Sequence, residues 1–270
     1  MNETLGLSLS IRDAAKALRR MRHRVKIVNR SLIVKPPPYR ADIMHPIDLV
    51  EDIAMGIRYW MLEPKQPETI TYGKLHPDTI LEETVRDILL GLEYTEVMNF
   101  TLTNEEDEYV RMGVDPHPHI VLMNPVSAEY SILRTWILPS LMKTLSYNRG
   151  SLYPQRIFEI GDVIHPKEDA PERAIRMLRL GAATCHANAS YSEIKSVMEE
   201  ILKNLMVEGW RLEPFDSMPF MEGRAAKIIW NGKQIGFLGE IHPEVLTRWD
   251  LAMPTSALEL DLSILKARSS

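Results

Sequence analysis

The sequence predicts an α+β fold, a large antiparallel sheet with flanking helices preceded by a small α+β domain. Strand-like segments outnumber helical ones, and several are joined directly by short turns, a connection open only to antiparallel strands. A stretch at 63–78 with Pro64, Pro67, Gly73 and Pro77 divides the chain. At 270 residues the chain can hold a small and a large domain. The expected domains are 1–67 and 68–270.

In the first domain, Ser10 with Asp13 three residues on marks a helix start, and Ile11, Ala14, Ala15 and Leu18 give the stripe. Val25 and Ile27, then Leu32 and Val34, alternate on either side of Asn29-Arg30-Ser31, which predicts strand, turn, strand. Pro36-Pro37-Pro38 holds the next segment extended. Pro46 suits a first helical turn, and Ile47, Val50, Ile53, Ala54 and Ile57 follow at helical spacing. The unit starts so near Met1 that its first strand or helix is expected to be missing.

The window YRADIMHPIDLVED (39–52) sets Asp42, Asp48, Glu51 and Asp52 at the opening of that helix. Asp48, Glu51 and Asp52 stand at i, i+3 and i+4 and share a face. Like charges this close repel unless a cation or a basic partner sits among them. Hard oxygen ligands of this kind suit a magnesium ion that keeps several waters. The plainer reading is an acidic first turn answering the helix dipole.

In the second domain Asp78 is expected to cap a helix whose Ile80, Leu81, Val85, Ile88, Leu89 and Leu92 face a core. A strand over 96–102, a short polar helix from Asn104, a strand at 119–123 and a helix over 138–147 follow. Long strands are expected at 156–163 and 177–185. Ser190 with Glu193 predicts a capping box for a helix over 191–208, ended by Gly209. Asn231-Gly232 between 225–230 and 234–241 predicts a hairpin with a type I′ turn. A short helix from Pro243 and a strand at 258–262 complete the pattern.

Composition narrows the function classes. No apolar run approaches the ~20 residues a bilayer-spanning helix needs, and no signal-peptide pattern follows Met1. No membrane partner is expected, and a cytoplasmic setting fits. The single Cys185 excludes an intramolecular disulfide and a multi-cysteine zinc site. The net charge of −5 hides an asymmetry, because residues 1–40 carry ten Lys or Arg against Glu3 and Asp13. That basic face, with Arg19, Arg20, Arg22, Arg24 and Lys26, suits either solvent or nucleic acid. There is no GxxxxGK, GxGxxG, GxSxG or HExxH motif. Five histidines, His45, His76, His117, His165 and His242, precede Pro. Residues before Pro are pushed to extended geometry, so a structural role at element entries is expected for them.

The acidic window, NPVSAEYSILRTWILPSL (124–141), QRIFEIGDVI (155–164) and GEIHPEVL (239–246) together resemble the β subunit of phenylalanyl-tRNA synthetase, archaeal or eukaryotic type, in its C-terminal portion. Four motifs in the right order cover nearly the whole chain. The resemblance implies a class II aminoacyl-tRNA synthetase-like module from about residue 70, behind a small domain with a helix-turn-helix look. It implies magnesium at Asp42, Asp48, Glu51 and Asp52, near the contact with a catalytic α subunit. It also implies a heterotetramer of two α and two β subunits, tRNA(Phe) as partner, and ATP-dependent aminoacylation. The upstream part that carries tRNA editing in the family is absent, so a fragment is expected.

Amino-acid activation needs cationic groups on the ATP phosphates. Class II catalytic subunits resemble one another in carrying Arg on a strand, in a context like IGRVFR. Here Asp162 and His165 stand where Arg is expected, and no GxER-like segment follows GEIHPEVL. No catalytic or ATP-holding residue is therefore assigned. The module is expected to have lost the reaction and to serve as a partner surface, through the 78–92 helix and the strand after it. Arg134 is expected in a buried salt bridge or an interface contact. Two alternatives remain at this level: an independent magnesium-dependent phosphoryl-transfer enzyme built on the acidic cluster, and a nucleic-acid-binding module built on the basic segment.

Overall fold

A computed structural model describes residues 1–64 and 72–265. The chain forms two compact units, Met1–Gly73 and Lys74–Ser270. The boundary expected between residues 67 and 68 lies outside the described residues.

The first unit contains α1 (Asn2–Leu5), α2 (Ile11–Arg20), β1 (Arg24–Val28), β2 (Ser31–Lys35) and α3 (Pro46–Ile57). Ser10 Oγ accepts the Asp13 N–H at 3.2 Å, the expected N-cap of α2. β1 and β2 pair antiparallel around Asn29, whose φ of 51° lies in the left-handed region that Asn tolerates. Ala14, Ala17, Leu18 and Ile53 form the core between α2 and α3. The helices touch backbone to backbone at Gly56, where a Cβ would sit 2.5 Å from Ala17 O. Glycine is required at this crossing for that reason.

The second unit is built on a seven-stranded sheet. Its elements are α4 (Pro77–Gly91), β3 (Thr95–Glu96), β4 (Leu102–Thr103), β5 (Ile132–Leu133), α5 (Leu138–Tyr147), β6 (Gln155–Pro166), β7 (Ala174–Cys185), α6 (Tyr191–Asn204), β8 (Arg211–Pro214), β9 (Phe220–Trp230), β10 (Lys233–Ile241), α7 (Pro243–Arg248), β11 (Thr255–Asp261) and α8 (Leu262–Leu265). The sheet order is β3-β6-β7-β11-β10-β9-β8. Only the β3–β6 pair is parallel, and the remaining neighbours are antiparallel. Asn231 and Gly232, with φ of 49° and 75°, close the β9–β10 hairpin as its sequence predicts.

Strand alternation splits the core into two layers. Phe158, Leu180, Ala182, Leu258, Leu260 and Leu238 pack with α4 and α6 on one face. Ile157, Val163, Ala183, Ala257 and Ala225 pack with α5 and α7 on the other. Gly181 lets α5 lie close on that second face, since a Cβ there would meet Ile137 Cγ2 at 2.7 Å.

Several elements differ from the sequence reading. The strand expected over 96–102 is short: Val97 N–H reaches Phe158 O at 2.8 Å, then the chain leaves the sheet and re-pairs only at β4. The segment at 119–123 is a single bridge, Val121 to Ile132. The polar helix expected from Asn104 is a π-turn over Glu106–Val110 with Asp107, Glu108 and Tyr109 buried. α6 stops at Asn204, because Met206 already has a φ of 55° and turns the chain. Its cap is one-sided. Ser190 Oγ accepts the Glu193 N–H at 3.4 Å, while the Glu193 carboxylate pairs with His186 and Arg156. The cap of α4 is His76, whose Nδ1 accepts the Asp78 N–H at 3.3 Å, not Asp78 itself.

Candidate functional site

The acidic window is three different environments. Asp52 is buried and its carboxylate meets His23 Nε2 at 2.5 Å and Arg40 at 3.1 Å. Asp42 is exposed and takes a two-pronged bond from Arg40 Nε and Nη2, at 2.9 and 2.7 Å. The Arg40 guanidinium thus holds the Asp42 carboxyl below the usual carboxylate range, against a smaller opposing effect of burial. Asp48 Oδ2 accepts the backbone N–H groups of Met44 and His45, while His45 Nδ1 accepts the Ile47 N–H, a reciprocal helix cap. Glu51 is exposed.

The four carboxylates are not gathered around one point in the described structure. Among the described residues no group of three or more His, Cys, Asp or Glu side chains is arranged to hold a metal ion. Asp42, Asp48, Glu51 and Asp52 therefore do not converge as the ligand set expected of them. A cation on the same chain, Arg40, stands between Asp42 and Asp52. The phosphoryl-transfer alternative needs carboxylates gathered around ions, and this arrangement does not gather them.

The basic face of the first unit is solvent-facing. Arg12, Lys16, Arg22, Arg24, Lys26 and Arg30 are exposed and make no ion pair with any described residue. Arg19 and Arg20 are used partly inside the unit, donating to Val25 O and Gly56 O.

The residues of the IGDVIH stretch on β6 alternate between the two faces of the sheet, Asp162 on the face that carries α4 and His165 on the other. Asp162 is paired with Arg176 at 2.6 Å. Burial, with Arg179 nearby, pushes the His165 imidazole below the usual histidine range, which favours its neutral form. Arg134 is buried in an ion pair with Glu159 at 2.7 Å, and its Nε donates to Asp162 O at 2.9 Å. This is the buried salt bridge expected of it. Gly161 makes room for it, since any Cβ there would collide with the guanidinium. A cleft of about 310 Å³ is lined by His165 and Glu259, and Arg179 is the one guanidinium among its described lining residues.

Of the five His-Pro pairs, His45, His76 and His242 cap helices through Nδ1, as their extended geometry predicts. His117 and His165 instead line the cleft, a role that the dipeptide alone does not signal. Glu108 was missed altogether. It is buried, and Oε1 accepts from Thr135 N, Thr135 Oγ1 and Trp136 N, at 2.5, 2.8 and 3.3 Å. Burial outweighs these bonds and pushes its carboxyl up to about 7. In the run EEDEYV nothing local separates Glu108 from the exposed Glu105 and Glu106.

The expected partner surface carries exposed apolar side chains: Ile80 and Leu90 on α4, then Met98 and Phe100 after β3. Met98 and Phe100 line a second cavity of about 310 Å³ with Tyr130 and Tyr147, and the Phe100 and Tyr130 rings meet edge to face at 5.6 Å. Among the described residues no helix is long and apolar enough to cross a membrane.

Residues 62–262 match the family described as the phenylalanyl tRNA synthetase beta chain CLM domain, and residues 1–59 match the tRNA synthetase B5 domain. The chain is 40% identical over 266 residues to the phenylalanine–tRNA ligase beta subunit of Archaeoglobus fulgidus, covering 97% of this chain and 47% of that one. It is 39% identical over 264 residues to the same subunit of Methanothrix thermoacetophila, with coverages of 97% and 48%. For the subunit of Methanosarcina barkeri the identity is 37% over 271 residues, with coverages of 100% and 48%. The chain spans about half the length of the curated relatives it matches.

Proposed function

This chain belongs to the phenylalanine–tRNA ligase beta-subunit family, and on that premise we propose that it is a non-catalytic portion of the enzyme, scaffolding a catalytic α subunit and contributing to tRNA(Phe) binding. The holoenzyme would be a cytoplasmic assembly of two α and two β subunits performing ATP-dependent aminoacylation. The observation that carries this reading is the cation inventory of the sheet unit, in which Arg179 is the one guanidinium lining the cleft. Arg179 lies 3.7 Å from Glu259 and 3.6 Å from Asp261, Arg134 is bound to Glu159, and Arg176 to Asp162. A triphosphate needs positive charge that is not already matched by carboxylates. The chemistry would then belong to the partner, and the exposed Met98 and Phe100, which share a cavity with Tyr130 and Tyr147, support docking because exposed apolar side chains favour burial.

The unpaired basic residues of the first unit support a share in tRNA binding through backbone phosphates. For magnesium, we propose that Asp42 and Asp52 join Asp48 and Glu51 as ligands when Arg40 is withdrawn from Asp42 and Asp52. Light scattering on the chain mixed with α subunit tests the main reading. A stable complex that is lost when Met98 and Phe100 are both changed to Asp is expected; no complex with the unaltered chain would overturn it.

A further inference from the structure

The β1–β2 hairpin of the first unit has two unlike faces. Side chains alternate along a strand, and the register sorts them: Arg24 pairs with Lys35, Val25 with Val34, Lys26 with Ile33 and Val28 with Ser31. Val25, Leu32 and Val34 turn inward and pack against the core of the unit. Arg24, Lys26 and Val28 on β1, with Ser31, Ile33 and Lys35 on β2, turn outward, and all are exposed.

The outer face works against its own ladder. Arg24 and Lys35 are direct cross-strand partners, and like charges placed opposite one another destabilise a pair of strands. Lys26 stands on the same face, about 7 Å along the strand from Arg24. None of the three forms an ion pair with any described residue. The carboxylates of the unit are committed elsewhere: Asp42 and Asp52 hold Arg40, Asp48 caps α3, and Asp13 bonds Ser10. Arg30, exposed at the turn, extends the row of cations to the far end of the hairpin. A polyanion laid along this face would match all of them.

Shape decides which polyanion. A single strand is held by stacking its bases on aromatic rings, and the outer face carries none. It offers instead a narrow ribbon, with strands about 5 Å apart and cations on both of them. RNA helices present a wide, shallow minor groove of 2′-hydroxyls between phosphate rows, and proteins read it by shape. We propose that the outer face of the β1–β2 ribbon lies across the minor groove of an RNA duplex stem, with Arg24, Lys26 and Lys35 on phosphates and Ser31 Oγ on a 2′-hydroxyl. The inference rests on the share in tRNA binding proposed above, and it assigns that share to the ribbon and to paired RNA. α2 is less suited, because its Arg19 and Arg20 are used on Val25 O and Gly56 O within the unit.

The test is fluorescence anisotropy of the whole chain with an RNA hairpin stem and with an unstructured oligouridylate of equal phosphate count, over a range of salt. Tighter binding of the stem is expected, on the order of tenfold, the worth of one or two added hydrogen bonds. Lys26→Thr with Lys35→Thr should lower the log–log salt slope for the stem by about two and remove its advantage over the single strand. Without RNA the same variant should melt at an equal or higher temperature, because the Arg24–Lys35 repulsion is gone. Arg12→Ala with Lys16→Ala, on α2, should weaken both RNAs by one common factor. Should the threonine variant fold poorly, the Ile33 methyl resonances of the unaltered chain give a second reading and should shift when the stem is added. Equal affinity for stem and single strand, or a stem preference that survives the ribbon variant, would overturn the inference and leave the wider share in tRNA binding standing. Failure to bind either RNA would overturn both.

Discussion

Substituting three carboxylates of the acidic window, Asp48, Glu51 and Asp52, one at a time separates a fold-holding cluster from a metal cage. Asp52 is 1% exposed and is shared by His23, fully buried, and Arg40. Asp52→Ala would leave a buried imidazole without its partner, and breaking a buried pair in this way costs about 3–5 kcal/mol. A unit the size of residues 1–73 has a total stability of roughly 4–11 kcal/mol. The loss is thus a large share of the whole, with a midpoint drop on the order of 15 °C or more for that unit. Asp48→Ala removes a cap that bonds two backbone N–H groups and should cost about 1 kcal/mol. Glu51→Ala is at a solvated position and should stay within ~0.5 kcal/mol. Thermal unfolding, paired with amide exchange across α2 and α3 to isolate this unit, reads all three. A ligand that binds only the folded state raises its stability with concentration. Equal losses at Asp52, Asp48 and Glu51 that appear only in the presence of magnesium would refute the ranking and restore the metal cage.

Two further outcomes follow from charge. Because Glu108 is pushed up to about 7 in the fold, its contribution to stability is complete below the ordinary glutamate value near 4.5 and is lost as pH rises through about 7. The span corresponds to about 3 kcal/mol, and Glu108→Gln should flatten urea-unfolding stability between those pH values; an unchanged slope would contradict the assignment. Binding of tRNA by the chain should weaken steeply with salt, and Arg24→Ala with Lys26→Ala should reduce the log–log slope by about two. A salt-independent affinity would remove the basic face from tRNA recognition.

The sheet hairpins and most helices were legible because their signals are local. Asn231-Gly232 dictates its own turn, and the apolar period of 191–205 needs only neighbours in sequence. What failed to show was set by distant residues. The strand after Glu96 ends early because Asn99 turns to Glu159 and Thr144, at 2.8 and 2.9 Å, elements far along the chain. Asp52 and Asp42 look alike in sequence, yet His23, 29 positions away from Asp52, buries one and leaves the other in solvent. The absence of Arg at Asp162 and His165 was readable directly. The Arg179–Glu259 contact was not, because it joins neighbouring strands, β7 and β11, that lie far apart in sequence, and neither residue sits in a motif.

Amino-acid-dependent exchange of pyrophosphate into ATP, measured on the chain by itself and again with the α subunit added, reaches the central claim most directly. A scaffold in which Arg134, Arg176 and Arg179 of the sheet unit are each matched by carboxylates predicts no exchange above the blank alone and exchange only once the α subunit is present. Exchange by the chain alone, saturating with ATP, would contradict the account.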